Sequence, residues 1–258
     1  MPAAAAAVPG DFIVETRGLT KEFSGFTAVR EVNLRVRRGT VHALIGPNGA
    51  GKSTVFNLIT KFLPPSAGQI FHNGQDITAL APQDVARRGL VRSFQISAVF
   101  ARMTVLENVR IALQQPTGLT YRFWQRDEKL RQLDARAMAL LEAVELQGLA
   151  HQAAGELSYG RKRALELATT LALEPQLLLL DEPMAGLGME DIERISALIR
   201  KVASQRTVLM VEHNLSVVEK LSDTISVLAR GEVLVEGPYA EVANHPAVME
   251  AYLGVTHA

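Results

Sequence analysis

The sequence predicts an α/β fold: a mostly parallel core sheet covered on both faces by helices, with a helical lobe inserted into it. Three observations carry that expectation. Val41 to Ile45, Leu177 to Leu180 and Thr207 to Val211 are short, continuous apolar runs separated by amphipathic stretches, the pattern of strands buried on both faces. A glycine-rich turn joins the first run to a helical stretch. From about Ile96 to Ala164 the texture changes from strand-and-turn to helix, and α/β alternation then resumes.

Taken in chain order, Met1 to Gly10 is alanine-rich and lacks a basic leading region, so residues 1–11 are expected to form a flexible tail and not a signal peptide. Phe12 to Arg17 and Val32 to Val36 read as short strands around a polar loop. A helix should start near Gly51 or Lys52 and run to about Phe62, because Pro64 and Pro65 end it. Asn73-Gly74 marks a turn. Asp127 to Leu146 carries Leu130, Leu133, Ala137, Leu140, Leu141 and Val144 on one helical stripe, a core-packing pattern. Glu190 to Ala203 and Leu215 to Leu221 are further helices. Thr224 to Leu228 and Glu232 to Val235 form a hairpin-like pair around Arg230-Gly231. Residues 12–254 are expected to make a single domain, with the helical lobe at about 96–164 and a tail at 255–258.

Composition narrows the function classes. The chain has 258 residues, 48% of them hydrophobic, with 27 basic and 27 acidic side chains and no cysteine. Balanced charge gives no general grip on nucleic acid. Disulfides and cysteine-ligated metals are excluded. No stretch reaches the roughly 20 apolar residues that span a bilayer.

Gly46-Pro47-Asn48-Gly49-Ala50-Gly51-Lys52-Ser53 fits Gly-x-x-x-x-Gly-Lys-Ser/Thr in full, and it follows a strand and opens a helix. Glycines let several backbone N–H groups converge on one anion, and the following helix points its positive end there. Lys52 adds charge for the β- and γ-phosphates, the Ser53 hydroxyl can ligate Mg²⁺, and Thr54 is assigned to the α-phosphate side. Downstream, the apolar run ends in Asp181-Glu182. Successive strand side chains point to opposite faces, so the two acids differ in role. Asp181 is the candidate for the Mg²⁺ shell, and Glu182 for activating a water. Val208 to Val211 repeats the pattern and ends at Glu212-His213, where His213 can hold the water and Glu182 in line. The other histidines, 42, 72, 151, 245 and 257, read as structural.

With these pieces in place the chain resembles an ABC-type ATPase, a P-loop NTPase. Gly46 to Ser53 matches its Walker A, Leu177 to Asp181 its Walker B, Glu182 its catalytic glutamate and His213 its switch histidine. The resemblance implies an ABC cassette with an antiparallel β subdomain beside the core. Arg92-Ser93-Phe94-Gln95 resembles the entry to the Q-loop, which implies that Gln95 senses Mg²⁺ and a membrane partner. Phe23 falls where the family stacks a ring on adenine; Phe26 is the alternative, and core packing would also suit both. The signature, usually Leu-Ser-Gly-Gly-Gln, reads Leu157-Ser158-Tyr159-Gly160-Arg161. Ser158 and Gly160 remain to bind a phosphate held by a second subunit. Gly188 stands where many members carry an aspartate. The Tyr159 variant, Asp181 to Leu187, and Ala247-Val248-Met249-Glu250-Ala251-Tyr252-Leu253-Gly254 are similar to the ATP-binding subunits of branched-chain (hydrophobic) amino-acid importers.

That likeness implies ATP and Mg²⁺, and two cassettes (two copies, or this chain and a homologue) sandwiching two ATP molecules. It further implies integral membrane permease subunits, an indirect solute-binding protein, and a position on the cytoplasmic face of the inner (plasma) membrane. Tyr121-Arg122-Phe123-Trp124-Gln125-Arg126 is either a loop anchored by its rings or a contact with lipid or permease. The alternatives are an exporter ATPase of the lipopolysaccharide type and a non-transport ATPase of iron–sulfur cluster assembly.

Overall fold

The computed structural model describes residues 10–93, 99–114 and 127–253, without the side chains of 127–132 and Leu253. The chain opens with strands β1 (Phe12–Phe23), β2 (Phe26–Val32), β3 (Arg35–Arg37) and β4 (Val41–Ile45), then helix α1 (Lys52–Ile59). Strands β5 (Ala67–His72) and β6 (Gln75–Asp76), helix α2 (Pro82–Arg87) and strand β7 (Leu90–Arg92) follow. Among the described residues three α-helices make the lobe: α3 (Val105–Gln114), α4 (Asp127–Ala143) and α5 (Tyr159–Leu171). Alternation then returns with β8 (Leu177–Asp181), α6 (Met189–Ala203), β9 (Thr207–Val211), α7 (Leu215–Leu221), β10 (Thr224–Ala229) and β11 (Glu232–Gly237). The short helices α8 (Tyr239–Val242) and α9 (Pro246–Leu253) close the described chain.

Six strands form the core sheet in the order β11-β10-β4-β9-β8-β7. All neighbours pair in parallel except β10 with β11. Strands β4, β8 and β9 are buried along their whole length, as expected for parallel strands covered on both faces. A second sheet, order β2-β1-β5-β6 with β3 on β1, is antiparallel throughout. Two apolar cores flank the parallel sheet. Leu178, Leu180, Val208 and Met210 pack with the lobe and α6, whereas Leu177, Leu179, Leu209 and Val211 pack with α1 and the antiparallel sheet.

Several local expectations need correction. The polar stretch after Arg17 is not a loop: β1 runs on to Phe23, and β2 begins at Phe26. The reversal falls at Ser24-Gly25, both at positive φ (45° and 89°), a turn that matches strand twist. Helix α1 stops at Ile59, three residues short of Phe62. Lys61 takes φ 64°, so the left-handed residue ends the helix before the prolines do. Helix α5 carries the lobe's last helix on to Leu171, beyond Ala164. Of the expected α4 stripe, Ala137, Leu141 and Val144 are fully buried. Among the described residues no helix is long and apolar enough to cross a membrane.

Candidate functional site

The loop from Gly46 to Gly51 is shaped by close backbone approach. A Cβ on Gly46, at φ 152°, would lie 2.0 Å from the Leu228 carbonyl oxygen, and one on Gly51, at φ 101°, 2.5 Å from that of Ala28. Only glycine fits either place. The Gly231 N–H donates to the Ala50 carbonyl at 3.0 Å, and the Arg30 N–H to the Gly231 carbonyl at 2.8 Å. The loop is thus pinned by β2 and by the β10–β11 turn. Helix α1 has no capping side chain and no acid in its first turn, which leaves its leading N–H groups and positive end for an anion.

Lys52 is buried, and its Nζ donates to the carbonyls of Gly46 at 2.7 Å and Pro47 at 2.9 Å. Burial lowers its pKa below the usual lysine value, opposed by the charges of Glu182 and Asp181. The ammonium therefore lies within the field of both acids. Ser53, Asn48 and Gly49 are exposed, Pro47 and Thr54 half-buried, and Ala50 buried.

Strand β9 lies between β4 and β8, so the loop after β4 and the acids after β8 are two strand spacings apart, roughly 10 Å. Asp181 is buried and ion-paired with Arg92 from β7, whose Nη1 also donates to Asn57 Oδ1 at 2.6 Å. Glu182 is half-buried and sits at φ 47°. Its N–H donates to the Val211 carbonyl at 2.9 Å, fixing a left-handed conformation that costs of order 1 kcal/mol in a non-glycine residue. His213 follows β9 and is exposed. The same sheet edge therefore gathers Gly46 to Thr54, Asp181, Glu182 and His213.

Ser158 and Gly160 sit elsewhere, at the start of α5. Ser158 is its exposed N-cap, accepting from the Arg161 N–H at 3.4 Å. Gly160 is buried against α6: a Cβ there would lie 2.1 Å from Asp191 Cγ. Phe23 and Phe26 face each other across the β1–β2 turn and are 42% and 66% exposed, so core packing does not apply to them. Ala28, two residues beyond Phe26, has its carbonyl against Gly51. Gln95 and the Tyr121–Arg126 segment lie outside the described residues.

Sequence reasoning passed over Glu212. It is fully buried and accepts three backbone hydrogen bonds: from Met184 at 3.0 Å, His213 at 2.9 Å and Asn214 at 3.0 Å. Its signal was an acid directly after a fully apolar strand, before the histidine. Arg92 was read only as part of the Gln95 motif; its grip on Asp181 depends on β7 pairing with β8.

A profile of the ABC transporter family matches residues 29–185, and one described as branched-chain amino acid ATP-binding cassette transporter matches residues 232–258. The chain is 39% identical over 249 residues to the high-affinity branched-chain amino acid transport ATP-binding protein BraF of Pseudomonas aeruginosa, covering 94% of this chain and 98% of that one. Among solved structures it is similar to an ATP-binding cassette of an ABC transporter in its ADP conformation (TM-score 0.85, 32% identity, 95% of this chain and 99% of that one). It is also similar to a dimeric cassette in a post-hydrolysis state bound to ADP and Pi (TM-score 0.73, 27% identity, 88% of this chain and 98% of that one).

Proposed function

The chain belongs to the ABC transporter family, and from that premise we propose that it hydrolyses ATP to energise import of branched-chain or other hydrophobic amino acids. The observation that carries the catalytic half is the meeting of three strand ends at one sheet edge, with the Lys52 ammonium in the field of Asp181 and Glu182. The solute class rests on the similarity to BraF and on the matched segment 232–258.

In this reading Gly46 to Thr54 cradle the triphosphate with backbone N–H groups, and Lys52 exchanges its two carbonyl partners for phosphate oxygens. Phe23 offers its exposed face to the adenine. Asp181 and the Ser53 hydroxyl would hold Mg²⁺, which takes few protein oxygens beside phosphate and water; Gln95, outside the described residues, is assigned the same task from its sequence motif. Held there, Mg²⁺ would supply charge neutralisation for the triphosphate. Glu182 accepts a proton from the attacking water, which His213 orients, as its oxygen bonds to the γ-phosphorus and the bond to the β–γ bridging oxygen breaks, releasing ADP and phosphate. Ser158 and Gly160 meet the triphosphate of a second cassette, homologous or identical. Residues 12–254 act as a single domain, docked on permease subunits at the cytoplasmic face and reached indirectly by a solute-binding protein.

The test is Mg²⁺-ATP binding and turnover by the chain copurified with its membrane subunits. Lys52→Ala should abolish binding. Glu182→Gln should keep binding while turnover falls by about 10²- to 10⁴-fold. Uptake of leucine by the reconstituted complex should fall with turnover. Copurification with DNA or a cluster scaffold in place of membrane proteins would overturn the transport reading.

A further inference from the structure

The loop after Glu182, residues 183–187, is held from two sides. From the core, the buried Glu212 carboxylate accepts from the Met184 N–H through Oε1, and through Oε2 from the N–H groups of His213 and Asn214. Through its two oxygens this side chain ties the two post-strand loops together. From the lobe, the Tyr159 hydroxyl donates to the Ala185 carbonyl at 3.2 Å and accepts from Arg163 Nη2 at 3.3 Å.

The tyrosine is itself fixed. The Arg163 guanidinium stands 5.5 Å from its ring centroid. Gly186 also lies close: a Cβ there (φ 75°) would meet the ring at 3.4 Å. Arg163 is buried and paired with Glu166 at 3.0 Å. A cavity of about 30 Å³ lies beside this pair, lined by Ser93, Glu166, Asp181 and Pro183 among others. Met184 also packs into the core beside α5 and α6, so the loop is held by burial as well as by these hydrogen bonds.

We propose that Tyr159 and Glu212 are positioning residues. They clamp the 183–187 loop between the start of α5 and the end of β9, so that the placement of Ser158 and Gly160 is transmitted to the Glu182 carboxylate. The proposal rests on the reading of Glu182 as the base that activates water. It gives Tyr159, which stands where the signature usually has glycine, a task that glycine cannot perform, because glycine has no side chain to donate to the Ala185 carbonyl.

The experiment is steady-state ATP hydrolysis by the complex, with melting temperature recorded for each variant. Tyr159→Phe keeps the ring and removes the hydroxyl. Its kcat should fall about two- to tenfold, the worth of the neutral hydrogen bond to Ala185, with the KM for ATP unchanged. Glu212→Gln keeps the shape but turns an amide NH₂ towards backbone donors, and should lower kcat likewise. In the double variant the two losses should combine to less than their product, because both act through one loop. A Tyr159→Phe enzyme with wild-type kcat, or with only a raised KM, would overturn the clamp, whatever its melting temperature. Should Glu212→Gln fail to fold, the Tyr159 arm decides alone. Glu182→Gln separates the two levels: inactive beside a fully active Tyr159→Phe, it sinks only the clamp; fully active, it sinks the assignment of Glu182 and the clamp together.

Discussion

Asp181 and Glu182 are adjacent, yet their surroundings part them. Asp181 is buried against the Arg92 guanidinium, while Glu182 is turned out at φ 47° by a hydrogen bond to Val211. Strand periodicity predicts different roles for the two acids, but β8 ends at Asp181, so Glu182 takes its direction from the left-handed turn and not from the pleat; the phosphate loop was legible from its spacing. The partners were not. Arg92 reaches Asp181, and Glu212 reaches Met184, only because β7, β8 and β9 are neighbours. No local pattern encodes such pairings. Removing Arg92 would leave a buried carboxylate without its partner, and breaking such a pair costs about 3 kcal/mol or more. Arg92→Met should therefore lower the urea midpoint markedly. Mg²⁺ with nucleotide should recover more of that loss in the variant than it adds to the wild type, because a divalent cation can neutralise Asp181 in place of the guanidinium. Equal ligand stabilisation of both proteins would contradict this exchange.

At the level of elements, β8, β9 and α7 were readable nearly to the residue, because their apolar runs are short and bounded by polar positions. Strands β1 and β2 were not. Their register shifts at two points, which breaks the alternation that marks a half-buried strand. The end of α1 was misplaced for a related reason: Lys61 at φ 64° stops it without glycine, and no residue type announced the stop. Where a glycine is demanded, the effect of losing it is large. Gly46→Ala would place a methyl carbon 2.0 Å from the Leu228 carbonyl oxygen, so the loop or β10 must move. The expected outcome is loss of ATP binding by calorimetry with far-UV circular dichroism unchanged, because the strain falls on the loop and not on the sheet.

Across the whole molecule, two buried histidines set the acid limit of stability. Burial lowers His42 from 6.5 to about 4. Burial, with Arg38 and Arg88, does the same to His72, again to about 4. Both are neutral when folded and protonate more readily when unfolded, so below pH 6.5 the unfolded chain binds more protons. Stability should fall as pH drops from about 6.5 towards 4, by up to about 1.4 kcal/mol per pH unit for each histidine. His42→Gln, which cannot titrate but can still reach Ser226, should flatten the slope of the urea midpoint against pH; an unchanged slope would remove His42 from this account. The sequence marked both only as structural, because their burial depends on how the two sheets close over them. The parallel sheet has one more consequence. Alternate residues along β8 and β9 face separate cores, so the sheet acts as a bulkhead between two compartments. Leu178 and Leu179 are bonded neighbours and yet mechanical strangers, whereas Leu179 and Leu209 share a fate from different strands. Asp181 and Glu182 follow directly on the apolar run of β8, whose residues divide between both compartments.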